Sequence, residues 1–220
     1  IPTTAGTGSE VGRAGVIITK DTGNKTIIFH PTMMPTLAVL EPTLTTGLPP
    51  HITAATGIDA FTHSLEAYLA PGFHPMADGI ALEGIKLVLE NLETACEDGS
   101  NLEARSKMLI ASTMGATAFQ KGLGMIHSIA HPLSSVCGLH HGLANALILP
   151  YCLEFLENSE LTEKQRKKFQ DILDFFNMRG HAKETLSKSC KAYFEKLGIK
   201  FGLKNHGVKE DQIDVLAEKA

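Results

Sequence analysis

The sequence predicts a mainly α-helical fold, with a short β segment at the start and helices from there on. Two patterns predict it. Runs of β-branched residues are confined to residues 13–41 of the 220. From Pro49 onward, apolar residues recur at three- to four-residue steps, the period of a helix with one buried face. A third observation is chemical. Four of the ten histidines, His127, His131, His140 and His141, fall within a fifteen-residue stretch that is otherwise largely apolar.

The elements follow in order. Gly15-Val-Ile-Ile-Thr19 and Thr26-Ile-Ile-Phe29 are β-branched runs joined by a turn at Asp21–Asn24. Leu37-Ala-Val-Leu40, after a Pro-rich stretch, predicts a third short strand. In 51–70, Ile52, Ala55, Ile58, Phe61, Leu65 and Tyr68 form a helical stripe. Gly57 interrupts it at a cost of roughly 1 kcal/mol, acceptable where close packing needs the room. Pro75 suits a first helical turn, and Ile80, Ile85, Val88 and Leu92 make the next stripe, ending near Gly99. A third helix is expected over 102–120, broken by Gly122 and Gly124. A helix carrying His127, a loop over 135–140 and a helix over 141–156 come next. Further helices fit 161–177 and 182–197, parted by Gly180, and a helical pattern runs through 209–220.

Composition narrows the function. With 43% hydrophobic residues, the chain can bury one large or two small cores. A net charge of -4 leaves no nucleic-acid footprint. No apolar run reaches the roughly 18 residues of a membrane span, and no signal peptide is visible. The basic run Lys164-Gln-Arg-Lys-Lys168 is expected to be a solvated helix face. Cys96, Cys137, Cys152 and Cys190 have no CxxC spacing and read as free thiols of a reducing, cytoplasmic compartment.

Asp59 and His63 are spaced i, i+4 and project from one helical face. An isolated pair of this kind is common by accident, and a lone buried histidine is usually a satisfied core residue. The cluster changes that balance, because several buried imidazoles need partners. One carboxylate with two or three imidazoles suits Fe(II), Zn(II), Mn(II) or Co(II). His127 and His131 share a helical face. At most one of the neighbours His140 and His141 points inward. Glu66, one turn after His63, is placed either to orient that imidazole or to face solvent.

Taken together and in order, Asp59-x-x-x-His63, His127-x-x-x-His131-Pro132 and His141-Gly-x-Ala-Asn145 resemble the iron-containing (group III) alcohol dehydrogenases. The opening Pro2-Thr-Thr-Ala-Gly-Thr-Gly-Ser-Glu10 and Pro49-Pro...Ala54-Ala-Thr-Gly57 are further signatures of that family. The match runs from residue 1 to about 155, and weakly to the end. The resemblance implies a dehydroquinate synthase-like architecture. Residues 1–47 would be the last part of an α/β nucleotide-binding domain, and 48–220 most of an α-helical metal domain. No Gly-Gly-Gly-Ser phosphate loop of the family kind occurs in the chain. The 220 residues alone are therefore expected to hold metal but to bind NAD(P) weakly and turn over alcohol slowly or not at all.

The same resemblance implies Asp59, His63, His127 and His141 as ligands of Fe2+ or Zn2+. The metal would act as a Lewis acid on an alcohol oxygen while hydride passes to NAD or NADP. It implies that His131 is not a ligand but relays a proton or orients a small alcohol or aldehyde substrate. Thr3, Thr4, Gly6, Thr7 and Ser9, with Lys25, would face the dinucleotide. Gly12 stands where the family tends to have Thr, so one cofactor contact is expected to be missing. The full-length protein is expected to be a homodimer or larger homo-oligomer. Two other classes are weighed against this one. A helical metal-dependent phosphohydrolase would favour a His-Asp dipeptide, and none occurs. The opening Thr/Gly loop would also have no role in such an enzyme, and the other class is a metal-binding helical fragment without catalysis. Non-redox relatives of the dehydroquinate synthase kind tend to use Glu and two His with zinc, which Asp59 argues against.

Overall fold

The computed structural model describes residues 1–21 and 25–220, with backbone alone at Ile18 and Lys25. Strand β1 (Ala14–Ile18) pairs antiparallel with β2 (Lys25–Phe29), Ala14 opposite Phe29 and Ile18 opposite Lys25. Most of the expected turn, Thr22–Asn24, lies outside the described residues. The third strand does not form. Residues 37–40 take no regular structure, and Leu37 is exposed. β-branched composition reports a fit to a pleated surface, and no strand lies beside this segment among the described residues.

Among the described residues, eight α-helices follow: α1 (Pro50–Leu69), α2 (Pro75–Glu97), α3 (Leu102–Ala118), α4 (Met125–Cys137), α5 (His141–Glu157), α6 (Glu163–Met178), α7 (Leu186–Lys196) and α8 (Ile213–Lys219). Local chemistry starts several of them. Asn101 Oδ1 accepts from Ala104 N at 3.0 Å, satisfying a first-turn N–H of α3. Thr162 and Gln165 form a capping box on α6. Glu157, at the end of α5, accepts from the Leu186 and Ser187 N–H groups at the start of α7. The third helix ends as a 3-10 turn over Phe119–Lys121, and the loop expected over 135–140 shortens because α4 runs on to Cys137.

Helix α1 is the axis of the fold. Every residue from Thr53 to Tyr68 is buried, against α2, α3 and α5. Such a helix needs small residues where neighbours cross. A Cβ at Gly57 would lie 2.3 Å from Leu92 Cδ1 of α2, so the glycine that breaks the helical pattern is what lets the two helices meet. Phe61 meets Phe176 and Phe194 edge-on at 6.0 and 6.1 Å between centroids, joining α1 to α6 and α7. Edge-to-face pairs add roughly 0.5–1.5 kcal/mol beyond area burial.

The basic run on α6 is not wholly a solvated face. Lys164, Arg166 and Lys167 are exposed, but Lys168 turns inward and is buried. Its Nζ donates to the Tyr68 carbonyl at the end of α1 and approaches Asp78 Oδ2 at 3.4 Å. Lys121 Nζ meets Asp78 Oδ1 at 2.5 Å. Two ammonium groups thus serve one carboxylate and a helix C-terminus, where positive charge is favoured. No helix among the described residues is long and apolar enough to cross a membrane.

Candidate metal centre

Three helices deliver the histidine–aspartate cluster. Asp59 and His63 lie one turn apart on α1, His127 is in the first turn of α4, and His141 opens α5. All three imidazole Nε2 atoms converge on one carboxylate oxygen. His63, His127 and His141 lie 4.0, 3.7 and 3.6 Å from Asp59 Oδ1. Ligand atoms each roughly 2.0–2.2 Å from one tetrahedral ion would be spaced only slightly more closely. The ligand atoms of Asp59, His63 and His127 also lie within 4.8 Å of one another, and all three residues are buried. The donor set therefore fits a divalent ion: one anionic oxygen and two buried nitrogens mutually close, with His141 Nε2, from a side chain 30% exposed, outside that close group but 3.6 Å from the same Asp59 oxygen.

The approach of α5 to α1 depends on Gly142. A Cβ there would lie 2.1 Å from the Ala55 carbonyl oxygen and 3.3 Å from Asp59 Cβ. Without that bare backbone, His141 could not come so near Asp59. The rings pack as well as point. His63 stacks on His127 at 4.6 Å between centroids, and Phe119 lies tilted against His63 at 4.9 Å.

Electrostatics bind the cluster together. Burial alone would raise the Asp59 carboxyl, but His63, His127 and His141 outweigh it and hold the group below the usual carboxylate range. Burial pushes His63 down to about 4 against the pull of Asp59, and burial does the same to His141. His127 behaves oppositely. Burial would lower it, yet Asp59 and Glu66 together raise it to about 9.

Two residues without an assigned role complete the site. Glu66 is buried and does not face His63, the partner its spacing suggests, nor solvent. Its Oε2 lies 2.5 Å from His127 Nδ1. Asn145, fully buried one turn after His141, donates from Nδ2 to Asp59 Oδ1 at 2.7 Å. The same nitrogen lies 3.2 Å from His127 Nε2 and 3.4 Å from His141 Nε2. The sequence signal for Glu66 is its place seven residues after Asp59, on the same helical face.

His131, one turn after His127, lines the same cavity, edge-on to His127 at 5.9 Å and 5.3 Å from the His141 ring. It is not among the mutually close ligand atoms. His140 is exposed. The cavity measures about 760 Å³, and its walls include Thr7, Ser9, Phe119, Leu123 and Pro132 beside the histidines. Of the residues expected to face a dinucleotide, Thr7 and Ser9 line it. Thr3, Thr4 and Gly6 are not among its lining residues, and Thr3 is exposed, though the Gly6 backbone is close enough to favour a proton on His63. Lys25 opens β2, its side chain outside the described residues. Glu10 anchors the loop, accepting from Thr113 Oγ1 of α3 at 2.6 Å.

Comparison with known proteins gives a consistent picture. Residues 53–220 match the model of the Fe-containing alcohol dehydrogenase family, C-terminal, and residues 1–42 match that of iron-containing alcohol dehydrogenase. The chain is 41% identical over 219 residues to a 4-hydroxybutyrate dehydrogenase of Cupriavidus necator, covering 97% of this chain and 56% of that protein. An alcohol dehydrogenase from Oenococcus oeni superposes with a TM-score of 0.87 at 33% identity, over 99% of this chain and 57% of that one. A sulfoacetaldehyde reductase from Bifidobacterium kashiwanohense, solved in complex with NAD+, gives a TM-score of 0.84 at 30% identity, over 99% and 56%. The chain thus spans a little over half the length of these relatives.

Proposed function

Because this chain belongs to the iron-containing alcohol dehydrogenase family, we propose that it carries the metal centre of an NAD(P)-dependent alcohol dehydrogenase. The observation that carries the reading is the convergence of His63, His127 and His141 on Asp59 Oδ1 in the wall of the cavity. Asp59, His63, His127 and His141 are the proposed ligands. Fe2+ is the proposed ion, with Zn2+ accepted by the same donors. When bound, the ion supplies Lewis-acid polarisation of the alcohol oxygen.

The chain's own residues do the rest. Asp59 contributes the one negative charge among the donors, and the three imidazoles contribute lone pairs. Phe119 covers His63 and keeps water from that side of the cluster. His131 faces the cavity within reach of a bound substrate, as a proton relay or an orienting donor. Thr7 and Ser9 hold the dinucleotide side of the cavity, with NAD the proposed cofactor from the likeness to an NAD+ complex. The apolar wall of Phe119, Leu123 and Pro132 suits a small alcohol or its aldehyde. Residues 1–47 and 48–220 are the proposed division between nucleotide and metal domains, supported by family models that meet between 42 and 53. Cytoplasmic residence is proposed from four free cysteines.

Family membership sets aside the phosphohydrolase reading. The test is elemental analysis of the anaerobically prepared chain, together with a panel of primary alcohols, diols and hydroxyacids on the full-length enzyme that carries it. One iron per chain and NAD reduction with a member of the panel are expected. Metal-independent turnover would overturn the reading.

A further inference from the structure

We propose that Glu66 is the positioning residue of the metal centre: it holds the proton of His127 on Nδ1, so that Nε2 presents its lone pair to the cluster. The proposal deepens the metal reading above and rests on it. A neutral imidazole has one N–H and one lone pair, and the partner of one nitrogen decides the role of the other. His127 Nδ1 lies 2.5 Å from Glu66 Oε2, and His127 Nε2 lies 3.7 Å from Asp59 Oδ1. An ionised carboxylate only accepts hydrogen bonds, so the proton belongs on Nδ1.

The other carboxylate oxygen is committed as well. Glu66 Oε1 accepts from the Ile126 N–H at 2.7 Å. That group belongs to the first turn of α4, whose preceding residue, Gly124, offers no side-chain cap. One buried side chain of α1 therefore fixes both the start of α4 and the ring of the next residue along. Gly124 leaves the carboxylate its room, since a Cβ there would lie 3.0 Å from Oε1. His63 Nδ1, by contrast, makes no full hydrogen bond. Both stacked rings turn Nε2 toward Asp59, and His127 is the one whose Nδ1 faces a carboxylate.

Glu66→Gln separates the electronic role from packing. The amide has the carboxylate's shape but a single acceptor. If its oxygen keeps the Ile126 N–H, the amino group faces Nδ1 and drives the proton to Nε2. If its oxygen keeps Nδ1–H, two donors meet at Ile126. The probe is Co2+, titrated into the 220-residue chain and followed by its visible d–d absorption. The variant is expected to bind Co2+ about 10–100-fold more weakly, the usual consequence of losing such a partner. Its helical circular dichroism should match the wild type. Nitrogen-15 NMR of the metal-free wild type, taken at about pH 10.5 so that His127, which Asp59 and Glu66 raise to about 9, is neutral, is expected to show its one remaining proton on Nδ1. That measurement needs no variant, so a poorly folding Glu66→Gln does not protect the idea. An Nε2-protonated wild type, or Co2+ affinity within about twofold of wild type in the variant, overturns the proposal. A wild type that binds no Co2+ overturns the underlying metal reading instead.

Discussion

His63 and His131 look alike in the sequence, each in an x-x-x-His spacing on a helix, and the structure gives them different work. His63 aims Nε2 at Asp59 from one turn along α1, while His131 faces the cavity from beyond His127. Replacing His63 with Ala removes a donor and is expected to abolish stoichiometric metal binding. Replacing His131 with Ala should leave bound metal near one per chain. In an active enzyme carrying this chain, the same change should slow hydride transfer by about 10²-fold if it transfers a proton. Metal content and single-turnover rate, measured on both variants, check the difference. Equal metal loss in the two would make His131 a ligand. The clustering of His63, His127 and His141 with Asp59 was legible because several short motifs recur in order and carry the resemblance, and no single spacing would have sufficed. Glu66 and Asn145 were not, since their roles depend on where α4 and α5 cross α1.

At the scale of elements, two glycines on crossing helices should respond differently to the same substitution. Gly142→Ala drives a methyl group against the Ala55 carbonyl, backbone that cannot turn aside. The expected cost is about 1–3 kcal/mol, with weaker metal binding because His141 is pushed from Asp59. Gly57→Ala also clashes, against the fully buried Leu92 of α2, but with a side chain that can shift rather than with backbone, and roughly 1 kcal/mol of helix propensity offsets part of the cost. Urea unfolding should therefore show Gly142→Ala as the more destabilised variant, and the opposite order would contradict this account of the helix crossing. The helices were readable from Pro49 onward because apolar residues recur at three- to four-residue steps and Pro and Gly mark several of the ends. Two local readings failed for want of tertiary information. The β-branched run 37–40 finds no partner strand, and Lys168 escapes its polar neighbours to reach the end of α1.

For the whole molecule, α1, α4 and α5 share a core and the proposed ligand set, so metal binding is expected to couple to folding. An ion that binds the folded chain alone stabilises it by about 2.7 kcal/mol when its free concentration is a hundred times the dissociation constant. For a chain of this size that corresponds to a melting temperature raised by roughly 5–10 °C. Chelation should reverse the shift, and calorimetry with and without a chelator checks it. A melting temperature indifferent to metal would mean that the cluster is only a polar core.

X-ray absorption on the chain loaded anaerobically with one equivalent of Fe2+ tests the central claim most directly. The account predicts a first shell of nitrogen and oxygen only, at roughly 2.0–2.2 Å. It also predicts multiple scattering from three imidazoles, falling to two in His63→Ala, His127→Ala or His141→Ala if iron is retained at all. A sulfur shell, or an imidazole count unchanged by any of the three substitutions, would contradict it.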